Sequence, residues 1–157
     1  MSTSPTLIRT LSHNSSELAI LEKRCFEGSA WSVEQLESEL SRFGHLGFLL
    51  YQDAKVLGYV LGWVIEDECE LLRIAVNPRD RGQGHAHLLI TQFLTAAEVH
   101  GSRQCFLEVR NSNTAAIALY EHHGFQRTGI RHGYYADRTD ALLMTAALPS
   151  IMECKTD

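Results

Sequence analysis

A glycine-rich turn between an apolar segment and a long helical segment constrains this chain more than any other feature. Residues 71–76 have the apolar pattern of a strand, Arg81-Gly82-Gln83-Gly84-His85-Ala86 follows shortly after it, and helical spacing then continues to about His100. The first N–H groups of a helix have no partner within it, and its dipole favours negative charge. Glycines let a phosphate approach the backbone. The turn therefore suits a pyrophosphate, although a tight turn that binds nothing explains it equally well.

The other periodicities predict a mixed α/β sheet. Strand patterns cover residues 6–11, 48–51, 56–65, 105–109, 126–129 and 141–147. Helices are predicted after capping sequences at Asn14, Ser32 and Asn113. The resulting order is typical of a sheet with helices on both faces. At 157 residues, 45% of them apolar, the chain is expected to form one domain with loose termini at about residues 1–5 and 149–157.

Composition narrows the class of partner. A net charge of −5 argues against a general nucleic-acid binder and suits a cationic partner, although solubility alone explains it. Neither the four cysteines nor the eight histidines have the spacing of a metal motif, so no metal is expected. Because there is no signal segment and no apolar run of about 18 residues, a soluble cytoplasmic protein is predicted.

Five polar or aromatic residues are candidates for chemistry. Glu108 interrupts an apolar strand, where a carboxylate is either paired with a cation or functional, and the residues alone favour neither. Asn113 suits capping the next helix as well as binding a ligand. Tyr120, near the end of that helix, is typical of a core aromatic whose hydroxyl needs a partner if buried. Tyr134 and Tyr135 either line a substrate groove or pack on its rim.

In this order, these segments resemble the GNAT superfamily of N-acetyltransferases. The family signature Gln/Arg-x-x-Gly-x-Gly/Ala is matched at every fixed position from Arg81 to Ala86, and Asn113-x-x-Ala116 running into Leu119-Tyr120-x-x-x-Gly124-Phe125 also follows the family. The resemblance covers about residues 6–148. It implies a mostly antiparallel central sheet with a splayed strand pair for acetyl-CoA. The implied coenzyme-binding residues are Ile74, Ala75, Val76, Arg81, Gly82, Gln83, Gly84, His85, Ala86, His87 and Asn113.

Within the family, residues 30–32, 74–78, 107–110 and 131–135 are similar to a subfamily that acetylates the N-terminal alanine of a small-subunit ribosomal protein. By that resemblance Glu108 is the general base, Tyr120 is the general acid, and the Val76 N–H stabilises the oxyanion. Gly82 and His85 depart from the subfamily, which often has a larger and an apolar residue there.

The expected partner is the N-terminus of a basic ribosomal protein, with no direct contact to nucleic acid or membrane. Tyr134 and Tyr135 are expected to pack beside the acceptor peptide. The acidic run at residues 66–70 precedes the strand that ends at the reaction centre, so it either attracts an arginine-rich tail or forms a solvated loop. Three alternatives remain open: a GNAT enzyme for lysine or a small amine, an acyl-CoA-binding module without turnover, and a structural domain.

Overall fold

The computed structural model describes residues 3–10 and 12–148. In that part of the chain, seven strands and four α-helices follow one another in the predicted order: β1 (Thr6–Arg9), α1 (Ser15–Cys25), α2 (Val33–Leu40), β2 (His45–Gln52), β3 (Lys55–Ile65), β4 (Glu68–Val76), α3 (His85–Val99), β5 (Gln104–Arg110), α4 (Thr114–His122), β6 (Gln126–Arg131) and β7 (Ala141–Ala147). The tail that was predicted to be loose, residues 149–157, lies outside the described residues, as do residues 1, 2 and 11.

The strands form one sheet in the order β1-β2-β3-β4-β5-β7-β6. Only β4 and β5 are parallel, and every other neighbouring pair is antiparallel. The parallel pair is joined by three residue pairs, which are Glu68–Gln104, Cys69–Cys105 and Glu70–Phe106. Beyond them the two strands separate. The predicted mostly antiparallel sheet with a splayed strand pair is therefore confirmed.

Two apolar cores cover the two faces of this sheet. Helices α1 and α2 bury Leu18 and Leu36 against Leu49, Tyr59 and Leu61 of β2 and β3. Helices α3 and α4 cover the other face with the fully or nearly fully buried side chains Leu89, Ile90, Phe93 and Ile117. A fully buried large apolar side chain contributes about 1.5–3 kcal/mol, so both layers are anchored independently. None of the helices in the described residues is long and apolar enough to cross a membrane.

A β-bulge in β4 changes which side chains face each layer. Leu61 of β3 lies opposite Arg73, whereas the next residue, Gly62, lies opposite Leu71, so Leu72 is the extra residue. Before the bulge Cys69 and Leu71 belong to the core beneath α3. After it Ala75 packs beneath α1, and the Arg73 side chain also bonds to α1. The bulge therefore turns the end of β4 just where β5 leaves it.

The predicted helix caps were partly correct. Ser32 forms the full capping box with Gln35, because each side chain bonds to the other residue's backbone N–H. The capping box predicted at Asn14 is wrong. A 3₁₀ turn over Ser12–Asn14 leads directly into α1, so Asn14 has helical backbone angles and its side-chain amide donates to Glu17. A capping side chain needs extended backbone angles to reach the free N–H groups.

Strand β4 begins at Glu68 rather than at Leu71, so only the first two residues of the acidic run lie in a turn. Glu66 and Asp67 form the turn before β4, and the Asp67 carbonyl accepts the Arg103 N–H at 2.6 Å. With a rise of ~3.3 Å per residue, that turn lies roughly 30 Å along the strand from Val76. Glu66 and Asp67 are therefore distant from the end of β4 at which the reaction centre was predicted.

Candidate active site

A cleft of about 1040 Å³ opens where β4 and β5 separate. Nearly all of the residues predicted from the sequence line it: Ile74, Ala75, Val76, Arg81, Gly82, Gly84, His85, Ala86, His87, Glu108, Asn113, Tyr120, Tyr134 and Tyr135. Gln83, which the signature includes at a variable position, is not among the lining residues. The end of β4, the glycine-rich turn, a carboxylate and three tyrosines thus line a single cleft.

The free edge of β4 supplies backbone groups to this cleft. The Asn77 N–H donates to the Leu57 carbonyl at 2.7 Å. Because hydrogen-bonded and non-hydrogen-bonded pairs alternate in an antiparallel ladder, the N–H and carbonyl of the preceding residue, Val76, point away from β3. The Val76 carbonyl accepts from Arg81 Nε at 3.0 Å and from Cys25 Sγ at 3.4 Å. The Val76 N–H therefore faces the gap between β4 and β5.

The turn before α3 has the conformation expected for binding an anion. Gly82 and Gly84 have φ angles of +77° and +82°, and a Cβ built on either would meet no protein atom within 4 Å. The glycines are thus required by backbone conformation, and the space above them is open. Gly84 offers no side-chain cap and the first turn of α3 has no acidic residue. Its free N–H groups and dipole are left for a negatively charged group.

Glu108 is both paired with a cation and part of the cleft. It lies in β5 opposite Leu143 of β7, and its side chain is 23% exposed. Its carboxylate is 3.5 Å from Arg131 Nε. Interaction with the same carboxylate is the largest cause of a raised Tyr134 pKa. The Glu108 carboxylate can therefore accept a proton or a hydrogen bond in the cleft while Arg131 holds it in place.

Tyr120 extends from α4 with its ring packed edge-to-face on Phe125, the centroids 5.8 Å apart. Burial raises the pKa of its hydroxyl, and the nearby Tyr135 and Cys105 raise it further. The hydroxyl consequently stays protonated at neutral pH, as a proton donor must. Asn113 caps α4, because its side-chain oxygen accepts the Ala116 N–H at 3.2 Å. The capping role of Asn113 is confirmed, and coenzyme binding by this residue remains a prediction.

Tyr134 and Tyr135 form an aromatic wall of the cleft. Their rings pack edge-to-face with centroids 5.0 Å apart. The Arg110 guanidinium lies 4.1 Å from the Tyr135 centroid and is held by Asp137 at 2.9 Å. Burial is the main cause of a raised Tyr135 pKa. Cation–π and ion-pair contacts thus hold Tyr135 in the cleft, whereas Tyr134 is 48% exposed at its edge.

Sequence reasoning missed a buried ion pair beside the cleft, between Glu22 and Arg73, of which Arg73 lines the cleft. Glu22 of α1 is fully buried, and its two carboxylate oxygens accept from Arg73 Nε and Nη2 at 3.0 and 2.9 Å. The same carboxylate accepts the Tyr59 hydroxyl and, at 2.8 Å, the Trp31 N–H. A lone cation in the apolar β4 was the same kind of signal that identified Glu108, so Arg73 could have been found.

Arg73 also holds the segment between α1 and α2 against β4. Its guanidinium carbon is 4.0 Å from the Phe26 ring centroid and 4.6 Å from the Trp31 ring centroid. Its Nη2 group donates to the Ser29 carbonyl at 2.8 Å. Phe26, Ser29, Trp31 and Arg73 all line the cleft. Glu22 and Arg73 therefore determine where that segment stands relative to the reaction site.

Glu70 is the member of the acidic run that lines the cleft. Its pKa is raised, first by burial and next by the charge of Glu108. Two carboxylates consequently act on the same part of the cleft and favour a cationic group there. Among residues 3–10 and 12–148, no three or more His, Cys, Asp or Glu side chains are arranged to hold a metal ion.

Known proteins resemble this chain over most of its length. A model of the acetyltransferase (GNAT) family matches residues 16–125. The chain is 40% identical over 125 residues to the ribosomal protein bS18-alanine N-acetyltransferase of Escherichia coli (strain K12), covering 78% of this chain and 82% of that protein. The protein so described from Salmonella typhimurium is 36% identical over 137 residues, covering 79% and 91%. The crystal structure of the ribosomal-protein-S18-alanine N-acetyltransferase from Escherichia coli matches with a TM-score of 0.87 at 31% identity, covering 98% of this chain and 100% of that chain.

Proposed function

Because the chain belongs to the GNAT family of acetyltransferases, we propose that it transfers the acetyl group of acetyl-CoA to the N-terminal alanine of a small-subunit ribosomal protein. The family predicted from the sequence is thereby confirmed. The observation that carries the proposal is the cleft itself, in which the free edge of β4, the glycine-rich turn, Glu108 and Tyr120 meet. Since ribosomal proteins are made and assembled in the cytoplasm, we also propose that compartment.

The backbone of the cleft suits the coenzyme. N–H and carbonyl groups along the exposed edge of β4 can pair with an amide-containing chain as a further strand would. The open N-terminus of α3 and the space above Gly82 and Gly84 suit the pyrophosphate. These contacts involve backbone atoms, so they tolerate the histidine and glycine by which this turn departs from its subfamily.

The chemistry of the acceptor favours an N-terminal amine over lysine. Only a neutral amine attacks a thioester. At pH 7, deprotonating an α-amine with a pKa near 8 costs about 1 kcal/mol, whereas a lysine with a pKa near 10.4 costs about 5 kcal/mol. A single carboxylate, Glu108, acting directly or through a water molecule, is a sufficient base for the α-amine.

The remaining steps are assigned to groups that already face the cleft. The Val76 N–H is oriented to stabilise the oxyanion that forms when the amine attacks. The protonated hydroxyl of Tyr120 then supplies a proton to the departing thiolate of coenzyme A. Glu108 accepts the amine proton, so the reaction leaves the enzyme ready for another cycle once these two protons are exchanged with solvent.

The acceptor is tested by offering three substrates at equal concentration. One is a basic peptide with a free N-terminal alanine, the second is the same peptide with a blocked N-terminus and one lysine, and the third is spermidine. We expect acetylation of the free alanine peptide to have the highest kcat/KM, measured by mass spectrometry of the product.

A preference for the blocked lysine peptide or for spermidine would replace the proposed acceptor with a lysine or small-amine acceptor. Binding of acetyl-CoA without turnover of any acceptor would indicate an acyl-CoA-binding module. If acetyl-CoA does not shift the melting temperature, the chain does not bind the coenzyme and the structural-domain alternative is favoured. The alanine peptide with its N-terminus already acetylated is the matched control, because it differs only at the reacting nitrogen.

A further inference from the structure

Three histidines form a second pocket that is continuous with the cleft. This three-histidine pocket has a volume of about 610 Å³ and is lined by His87, Ala115, Ala118, Leu119, His122 and His123. Three of these residues, His87, Ala115 and Leu119, also line the main cleft. The ring centroid of His87 lies 5.1 Å from that of His122 and 5.1 Å from that of His123. The centroids of His122 and His123 are 5.3 Å apart. The histidines belong to the start of α3 and the end of α4, which the sequence separates by more than a helix length.

The two closest rings share one proton. His87 Nδ1 and His123 Nε2 are 2.9 Å apart, which requires one nitrogen to donate and the other to offer its lone pair. Both rings cannot be fully protonated in this arrangement, because two N–H groups would then face each other. Burial lowers the pKa of His123, and the neighbouring His87 and His122 lower it further. The His87–His123 pair therefore carries at most one positive charge when nothing is bound.

Among residues 3–10 and 12–148, the side chains that line the pocket include no acidic group that would hold the histidines protonated. The first turn of α3, to which His87 belongs, has no acidic residue. Glu121 precedes His122 on α4, but its carboxylate pairs with Arg127 of β6 at 3.3 Å. An anion that enters the pocket would thus be the group that stabilises imidazolium there.

We propose that the three-histidine pocket binds a phosphate group and that, if the proposed function is correct, this is the ribose phosphate of acetyl-CoA. A phosphate that displaces the contact between His87 and His123 would accept N–H bonds from both rings, which allows both to be protonated. The free N–H groups at the start of α3 add positive potential on the same side. Ala115, Ala118 and Leu119 provide apolar surface against which a nucleoside can pack.

This arrangement makes coenzyme affinity depend on pH. The contact between His87 and His123 excludes double protonation of the pair in the free protein, whereas an anion bound by both rings permits it, so binding takes up a proton. Affinity is then greatest below the ordinary histidine pKa of ~6.5 and is lost as pH rises through the pKa of the histidines in the complex. Each pKa unit gained on binding corresponds to about a tenfold change in Kd. We expect Kd to rise about tenfold between pH 6.5 and 8.5.

Calorimetric titrations at pH 6.5 and 8.5 test the inference with two ligands, acetyl-CoA and its analogue that lacks the ribose phosphate. In the native protein, we expect the tenfold pH effect with acetyl-CoA and less than a twofold effect with the analogue. The double variant His122→Gln, His123→Gln should respond to pH equally weakly with both ligands. His100→Gln is the matched control, because His100 lies just beyond the other end of α3 and its ring contacts the Ala96 carbonyl.

Three results would overturn the inference: equal pH effects for the two ligands, an unchanged pH effect in the double variant, or loss of the effect in the His100 control. Titration with inorganic phosphate distinguishes the sources of the anion. If the affinity for free phosphate exceeds the gain in affinity that acetyl-CoA shows over the analogue without the ribose phosphate, the assignment to the coenzyme is removed. If the double variant is less stable by circular dichroism, His123→Asn alone replaces it. Failure of acetyl-CoA to bind at either pH would overturn the proposed function instead, so the two failures are distinguishable.

Discussion

Replacing Arg73 by methionine should strongly destabilise the protein, because it leaves a buried carboxylate without its cation. The change removes two hydrogen bonds, of 3.0 and 2.9 Å, to a Glu22 side chain that has no solvent exposure. Breaking one side of a buried pair costs about 3–5 kcal/mol. Tyr59 and the Trp31 N–H still donate to Glu22, which places the expected loss near the lower value, about 3 kcal/mol.

Urea denaturation followed by circular dichroism measures this loss directly. The double variant Glu22→Gln, Arg73→Met removes the uncompensated charge, so it should be about 2 kcal/mol more stable than the sum of the two single changes predicts. Arg127→Met is the matched control. Its partner Glu121 is solvent-exposed, so that change should cost less than about 1 kcal/mol.

The reasoning would be refuted if Arg73→Met cost no more than the Arg127 control, or if the two changes at the buried pair were additive.

A catalytic readout accompanies the stability measurement. Phe26 and Trp31 line the cleft and rest on Arg73. The folded double variant should therefore show a raised KM for the acceptor peptide, while its Kd for acetyl-CoA stays within about twofold of the native value.

Five further substitutions probe the cleft and the stability of the fold. Gly84→Val should weaken acetyl-CoA binding at least about tenfold by calorimetry, because the φ of +82° disfavours a side chain and a Cβ would occupy the open space over the turn; unchanged affinity would place the pyrophosphate elsewhere. Glu108→Gln should lower kcat by roughly 10²-fold or more with a residual rate that rises with pH, and Tyr120→Phe should also lower kcat; native turnover in both variants would remove their assignment as base and acid. His85→Leu should raise the free energy of unfolding by about 1–2 kcal/mol in urea titrations, because both ring nitrogens are buried without a hydrogen-bond partner; a loss of stability would mean that they are bonded in solution. Burial and the charge of Arg9 lower the pKa of His45 to about 4, so its neutral form stabilises the fold above pH 6.5 and that contribution is lost as pH falls towards 4. His45→Gln should flatten the fall in stability over that interval, and an unchanged curve would contradict this assignment.

Local chemistry explains why much of this protein was predictable from its sequence. The capping box at Ser32, the left-handed glycines in the turn before α3, and the N-cap at Asn113 each depend on residues within four positions of one another. The order of strands and helices follows from hydrophobic periodicity, which is also a local property. Because the chemistry-bearing segments occur in a fixed order, the family and the residues that line the cleft could be predicted together.

Contacts between distant segments decided the rest. Glu22 and Arg73 are 51 positions apart, and only the packing of α1 on the bulged β4 makes them a buried pair. Glu70 lines the cleft because it is the last residue of β4 paired with β5, whereas Glu66 and Asp67 lie in the turn at the far end of β4. His87 meets His122 and His123 only because α3 and α4 converge at the mouth of the cleft. Sequence patterns specify each element through its own neighbours, whereas such contacts exist only after the helices have packed on the sheet and excluded water between them.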